Sequence, residues 1–177
     1  RVVHNGIFLG ILNSILFALF GIFLAKFYFE FQKASGIIET YGIQYLSICS
    51  IFAFSIIMEI TFERMLIASG KTIYTMITQS TGAIINIIFD PIFIFGLFGF
   101  PKMGIVGAAV ATIFGQTVAM FMALYFNVVK NHEVRISIKK FAVDFKTIVN
   151  IYEIGFPSIV MQSAASFMIF QLNNLLA

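Results

Sequence analysis

Apolar runs of about 20 residues, the length a helix needs to cross the hydrocarbon core of a bilayer, recur five times in this chain: Asn5 to Tyr28, Ile43 to Phe62, Ile73 to Leu97, Gly104 to Val129 and Tyr152 to Ala177. Backbone polar groups in hydrocarbon must be satisfied within the segment, so windows of this length read as helices. Composition excludes a soluble domain. Charged residues make up 11% and hydrophobic residues 60%, with mean hydropathy +0.99, against about 25% charged in an ordinary soluble fold. The predicted fold class is all-α, a polytopic transmembrane bundle of five antiparallel spans with its ends on opposite sides. The chain starts at Arg1 without an initiator methionine and stops at Ala177 inside an apolar run, so it is expected to be a piece of a longer protein.

The basic residues give an orientation. Arg1, Arg64, Lys71, Lys130, Arg135, Lys139, Lys140 and Lys146 fall on one side of the five spans, and Lys26, Lys33 and Lys102 on the other, a split of eight to three. The positive-inside rule places Arg1 in the cytoplasm and Ala177 towards the outside. Within Arg135 to Asn150, Ile138, Phe141, Phe145 and Ile148 recur at helical spacing with Lys139, Lys140 and Lys146 off that face. That segment is predicted to be an interfacial helix on the cytoplasmic leaflet. The net charge of +3, distributed this way, serves topology; the partner it implies is the lipid bilayer, not nucleic acid.

Asp90 stands inside the third span, in GAIINIIFDPIFIFG. A carboxylate at the centre of a membrane helix costs roughly 2.5 to 3.5 kcal/mol on insertion scales, so its presence points to ion or proton handling. Thr75, Gln79, Gly82, Asn86 and Asp90 recur every three or four residues, which puts them on one helix face turned to protein or water. For Thr75 and Gln79 an interhelical hydrogen-bonding seam explains the pattern equally well. Asp90 with the Asn86 amide one turn away makes an oxygen-rich site for a proton or a hard cation such as sodium, and no Lys or Arg lies within two turns to neutralise it. Pro91 lacks an N–H and crowds the preceding turn, which frees a carbonyl and makes a candidate hinge.

The fourth span opens MGIVGAAVATIFGQ. Gly104, Gly107, Ala108, Ala111 and Gly115 suit close helix packing, while Thr112 and Gln116 put two polar groups on one face. Gly6, Gly10, Ser14 and Ala18 in the first span read as packing alone. Glu59, Glu63 and Arg64 are expected to form a local ion-pair cluster at the end of the second span, with Gly70 and Lys71 terminating that helix. The single Cys49 excludes a disulfide framework, and His4 and His132 read as solvated loop residues. There is no Walker-type glycine motif and no nucleophile and base pair, so no enzyme activity and no cofactor are expected, and energy is expected to come from an ion gradient.

The segment ERMLIASGKTIYTMITQSTGAIINIIFDPIFIFG, followed by MGIVGAAVATIFGQ and later by EIGFPSIVMQSAASFMIFQLNNLL, resembles the multidrug and toxic compound extrusion (MATE) transporters, in their MepA-like branch. The resemblance implies a twelve-helix, two-lobe antiporter that expels cationic lipophilic drugs in exchange for H+ or Na+, of which this chain holds helices three to seven. It divides the chain into residues 1–129 (helices three to six of the amino-terminal lobe), a cytoplasmic amphipathic linker at 130–150, and the first helix of the carboxy-terminal lobe at 151–177. It also implies that Asn86, Asp90 and Thr112 belong to a cation site completed by an aspartate on the family's first helix, in the remainder of the protein. Some family members carry a glutamate about two turns after the Gly-x-Pro of the seventh helix. Here that position after Pro157 is Ala165, which favours the lobe containing Asp90. Gln162, Ser166 and Asn173 form a polar stripe on the same helix, as cavity lining or seam. A lipid-linked oligosaccharide flippase of the same superfamily, and a non-transporting subunit that pairs Asp90 with a cationic partner helix, are the alternatives.

Overall fold

The computed structural model of the chain describes residues 2–31, 36–131, 133 and 143–176, with side chains up to Leu172. The described residues form seven α-helices: α1 (Val2–Phe23), α2 (Ala25–Phe31), α3 (Ile37–Ile51), α4 (Ala53–Ala68), α5 (Thr72–Phe95), α6 (Ile105–Val129) and α7 (Phe145–Leu176), with one 3-10 turn at Leu97–Gly99 after α5. Of these, α1, α5, α6 and α7 are each long and apolar enough to cross a bilayer, and α3 with α4, bent by 55°, make a fifth such span. The chain is a multi-pass membrane bundle, as its hydropathy predicts. Its apolar side chains lie outward as much as inward: Ile73, Met76, Ile84, Ile87 and Ile88 of α5 are exposed, while Thr75 and Thr78 are buried.

Helix α6 sits at the centre, packed against α5, α4 and α3, while α1 lies against α3 and α4. Small residues set the closeness of α5 and α6. A Cβ on Gly115 would stand 2.8 Å from the Gly82 carbonyl oxygen, and one on Gly107 2.6 Å from the Phe93 carbonyl. Ala111, Ala119 and Ala123 continue this buried stripe along α6. On the neighbouring seam Met58, Phe62 and Met65 of α4 close over Met120 and Ala123. The packing role expected of Gly107 and Gly115 is therefore seen directly. In α1, Gly10 lies against Met58 and Thr61, whereas nothing comes within 4 Å of a Cβ on Gly6.

Helix ends follow local chemistry. Gly70 takes φ 68° and closes α4 with Lys71 N–H donating to Leu66 O (2.8 Å) and Gly70 N–H to Ile67 O (2.9 Å), the Schellman arrangement that glycine favours. Asn127, fully buried, donates to Phe62 O (2.8 Å) and Ala123 O (2.9 Å), and Asn131 donates to Ser69 Oγ (3.0 Å). The Lys71 ammonium donates to the Lys130 carbonyl. These bonds fasten the end of α6 to the end of α4. After α5, Met103 and Gly104 N–H groups return to Phe93 O (3.0 Å) and Ile94 O (3.3 Å), so the Pro101 turn satisfies the last carbonyls of α5.

Three boundaries differ from the hydropathy reading. The first span divides at Leu24 into α1 and α2, although Leu24 N–H still donates to Phe20 O (2.8 Å) and Tyr28 N–H to Leu24 O (2.9 Å). The stretch from Glu63 is helix through Ala68, because charge ends an apolar window without ending a helix, and Gly70 is the true terminator. Helix α7 starts at Phe145, ahead of the expected Tyr152, and runs unbroken past Pro157. Asp144 caps it: its Oδ1 accepts from Lys146 N (3.2 Å), its Oδ2 from Thr147 Oγ1 (2.7 Å), and its own N–H donates to Asn5 Oδ1 of α1 (2.9 Å). The first half of the segment expected as an interfacial helix, including Arg135, Ile138, Lys139, Lys140 and Phe141, lies outside the described residues, as do Arg1, Lys33 and His132, and its second half is the start of α7. His4 lies within α1, not in a loop.

Candidate functional site

Helices α4, α5 and α6 enclose a cavity of about 360 Å³. Its polar lining comes from Glu59 and Glu63 of α4, Gln79 and Asn86 of α5, and Thr112 and Gln116 of α6, over a floor that includes Ile56, Ile60, Gly82 and Ala83. Gly82 serves twice here. It lets α6 approach α5, with a Cβ on it only 3.2 Å from Ala119 Cβ, and it leaves room between Gln79 and Asn86. The volume falls within the roughly 300 to 1,000 Å³ of small-molecule sites.

The structure brings Asn86, Thr112 and Gln79 to this one cavity. Asp90 lies one turn beyond Asn86 on the same face of α5, outside the cavity lining and half-buried. Its Oδ1 and the Asn86 Oδ1 are both shielded from solvent with no hydrogen-bond partner among the described residues. Two neighbouring orphan oxygens are costly unless a proton or cation meets them. Thr112 Oγ1 is 3.5 Å from the Tyr45 hydroxyl of α3, so that side chain also touches the bent span. Thr75 is buried with an unpartnered Oγ1 and does not line the cavity. Pro91 stands inside α5 without ending it. Phe89 and Phe93 stack near it, with ring centroids 5.5 Å apart, and Phe89 meets Phe114 of α6 at 5.0 Å. Gln162 and Ser166 lie together with Ser158 and Ser163 along α7, apart from the α4 to α6 cavity. The Asn173 side chain lies outside the described residues.

The two residues that sequence reasoning placed elsewhere are Glu59 and Glu63. Arg64 is exposed, whereas Glu59 and Glu63 are 7% and 5% exposed. The expected ion-pair cluster is absent: Arg64 is turned about 100° round α4 from Glu63 and is exposed. Glu63 instead accepts from Thr78 Oγ1 (2.7 Å, at Oε1) and Gln79 Nε2 (3.0 Å, at Oε2), both on α5. Glu59 Oε2 is buried with no partner. The signal that reveals them is the spacing: Ser55, Glu59 and Glu63 fall every fourth residue on the α6-facing side, where Ser55 Oγ is 2.9 Å from Thr117 Oγ1. Among the described residues no three His, Cys, Asp or Glu side chains gather as metal ligands.

Glu63→Ala removes the acceptor of both α5 donors. Thr78 retains the Thr75 carbonyl at 2.8 Å, and Gln79 is exposed enough to turn away. The expected loss is therefore about 1 to 2 kcal/mol, read as a lower thermal midpoint of the purified full-length protein in detergent. An unchanged midpoint would mean that the α4 to α5 hydrogen bonds contribute nothing net.

The MatE family model matches residues 1–92, α1 through most of α5. The chain is 34% identical over 112 residues to a probable multidrug resistance protein NorM of Bacillus cereus, covering 63% of this chain and 25% of that one. It is 33% identical over 129 residues to the multidrug export protein MepA of Staphylococcus haemolyticus, covering 72% and 27%. Among solved structures, an inward-facing multidrug resistance MATE family transporter of the MOP superfamily superposes with a TM-score of 0.80 at 28% identity, over 96% of this chain and 39% of that one. The chain thus spans about a quarter of the length of these curated relatives. Matched by the family model over more than half its residues and built as the same helical bundle, the chain belongs to the MatE family of membrane transporters.

Proposed function

We propose that this chain is part of a secondary active multidrug efflux antiporter that exports cationic lipophilic compounds in exchange for H+ or Na+. The observation that carries the reading is the two orphan oxygens on one face of α5, Asn86 Oδ1 at the cavity and Asp90 Oδ1 one turn beyond it. The relatives named for multidrug resistance and export support the substrate class. Asp90 is the coupling residue, with the Asn86 amide and the Thr112 hydroxyl as neutral oxygens beside it. A cation arriving at Asp90 cancels a charge that hydrocarbon tolerates poorly. Coupling follows if the cation binds the inward- and outward-open states with different affinity, since only that difference shifts the equilibrium. Pro91, directly after Asp90, is the place where α5 bends when the site fills, because the Ile87 carbonyl has no N–H from residue 91 to hold it. Gln79 lines the same cavity, Thr75 lies one turn before it on α5, and Gln162 and Ser166 line a separate groove along α7. The lobe boundary falls in the segment between α6 and α7, and the basic ends of α4 and α6 face the cytoplasm.

The test is transport by the purified full-length protein in proteoliposomes loaded with a fluorescent cationic dye. Dye movement driven by an imposed proton or sodium gradient, and stopped by collapsing that gradient, is the expected result. The ion whose gradient suffices identifies the coupling species. Dye movement indifferent to both gradients would overturn the antiport reading.

A further inference from the structure

We propose that Glu59 and Glu63 of α4 form a second cation site, separate from Asp90, that takes one inorganic cation, a proton or a sodium ion. The proposal does not depend on the role given to Asp90.

Both carboxylates are more than nine-tenths buried and lie one helical turn apart. Their environments differ. Glu63 has each oxygen engaged, by the Thr78 hydroxyl and by the Gln79 amide, and so is held in one position. Glu59 lines the same cavity with its Oε2 buried and unpartnered. A lone buried carboxylate is expensive, and a second at the next turn adds repulsion. Neutral donors on Glu63 fix its geometry without cancelling the charge of the pair.

Among the described residues no basic side chain lines this space. Arg64, next to Glu63, is exposed. The helices packed against α4 bring His4 on α1, Glu39, Tyr41, Tyr45 and Cys49 on α3, Tyr74 and Asp90 on α5 and Tyr125 on α6, and none of these lines the cavity. A bound cation would supply the positive charge that the described side chains do not. Carboxylate and amide oxygens are hard donors, matched to a proton or an alkali cation and not to a soft metal. Gln79, which fixes Glu63, precedes Asp90 by three turns of α5, about 16 Å at 1.5 Å per residue. A single cation cannot contact both Glu63 and Asp90.

The first test is thermal unfolding of the purified full-length protein in detergent, in sodium chloride against equal choline chloride, and in sodium-free buffer from alkaline to acidic pH. An Asp90→Asn background removes the other carboxylate. A ligand that binds only the folded state raises its midpoint, so Asp90→Asn protein is expected to gain a few degrees with sodium or with acid, and Asp90→Asn/Glu59→Gln protein to gain none. A gain with sodium at constant pH identifies sodium. A gain with acid alone identifies the proton. A double variant that keeps the full gain, or an Asp90→Asn protein that shows none, overturns the proposal.

The second test leaves Glu59 unsubstituted. Dicyclohexylcarbodiimide converts a protonated, membrane-buried carboxyl group to a stable N-acylurea, which peptide mass spectrometry locates. Adduct on Glu59 in sodium-free acidic buffer, suppressed by sodium or by raising the pH, is the expected result. Adduct absent from Glu59 while Asp90 reacts would sink the second site. Failure of the proteoliposome transport test, in contrast, leaves both of these readouts intact.

Discussion

Asp90→Asn is expected to reduce gradient-driven efflux to the level of empty vesicles while the protein still reaches the membrane folded and in normal amount. The substitution keeps the shape of the side chain and removes only its capacity to carry a charge and release a proton. Its immediate surroundings are already those of a neutral group: Oδ1 is buried without a partner, and the rings of Phe89, Phe93 and Phe114 stack beside that turn of α5. An amide there avoids the cost of a carboxylate in hydrocarbon, so the variant should melt no lower than the parent. Loss of transport together with retained stability is the pairing that identifies a coupling residue. Efflux that persists, still gradient-driven, would make Asp90 a structural residue and move coupling elsewhere in the protein. Efflux in cells, normalised to membrane expression, gives the first reading; vesicles give the decisive one.

Gly107→Val should be the most damaging single change to the fold. A Cβ at this position would sit 2.6 Å from both the carbonyl carbon and oxygen of Phe93 and 3.0 Å from Ile94 N. These are backbone atoms, and they are held from the other side as well, since the Phe93 and Ile94 carbonyls accept from Met103 and Gly104. Neither helix has slack to give. Overpacking of a well-filled seam costs about 1 to 3 kcal/mol, and a branched side chain against pinned backbone belongs at or beyond the top of that range. Detergent-solubilised protein followed by size exclusion after heating should show a midpoint many degrees lower, or no monodisperse species. Gly6→Ala is the control, because a Cβ there meets nothing within 4 Å among the described residues. Equal midpoints for the two variants would mean that α5 and α6 pack less closely than described.

Hydropathy located α5 and α6 to within two residues because each is a single apolar run with glycine close to its ends: Gly70 and Gly96 flank α5, and Gly104 precedes α6. The bend between α3 and α4 was not legible. Neither proline nor glycine marks Phe52, and the direction of each half is set by a contact remote in sequence. Ser50 packs so tightly on α1 that a Cβ on Gly21 would be 2.3 Å from its own Cβ, while Ser55 reaches Thr117 on α6. The common placement of Asn86 and Thr112 followed from periodicity along two helices plus their resemblance to a known family. Glu59 and Glu63 were misread because Arg64 is adjacent in sequence, whereas on a helix the next residue points about 100° away. Their partners, Thr78 and Gln79, lie on the following helix, and one-dimensional spacing does not show which faces of α4 and α5 meet.

Helix α7 is fastened to α1 at its first turn. Among the described residues its helix neighbour is α1 alone, and the grip is tightened by the Asp144 backbone N–H on Asn5 Oδ1. Its 32 residues extend about 48 Å at the rise of an α-helix, so a tilt of about 5° at the Asn5 clamp carries the far tip through about 4 Å. Asn5→Ala removes the acceptor of the Asp144 N–H and is expected to loosen the start of α7 on α1.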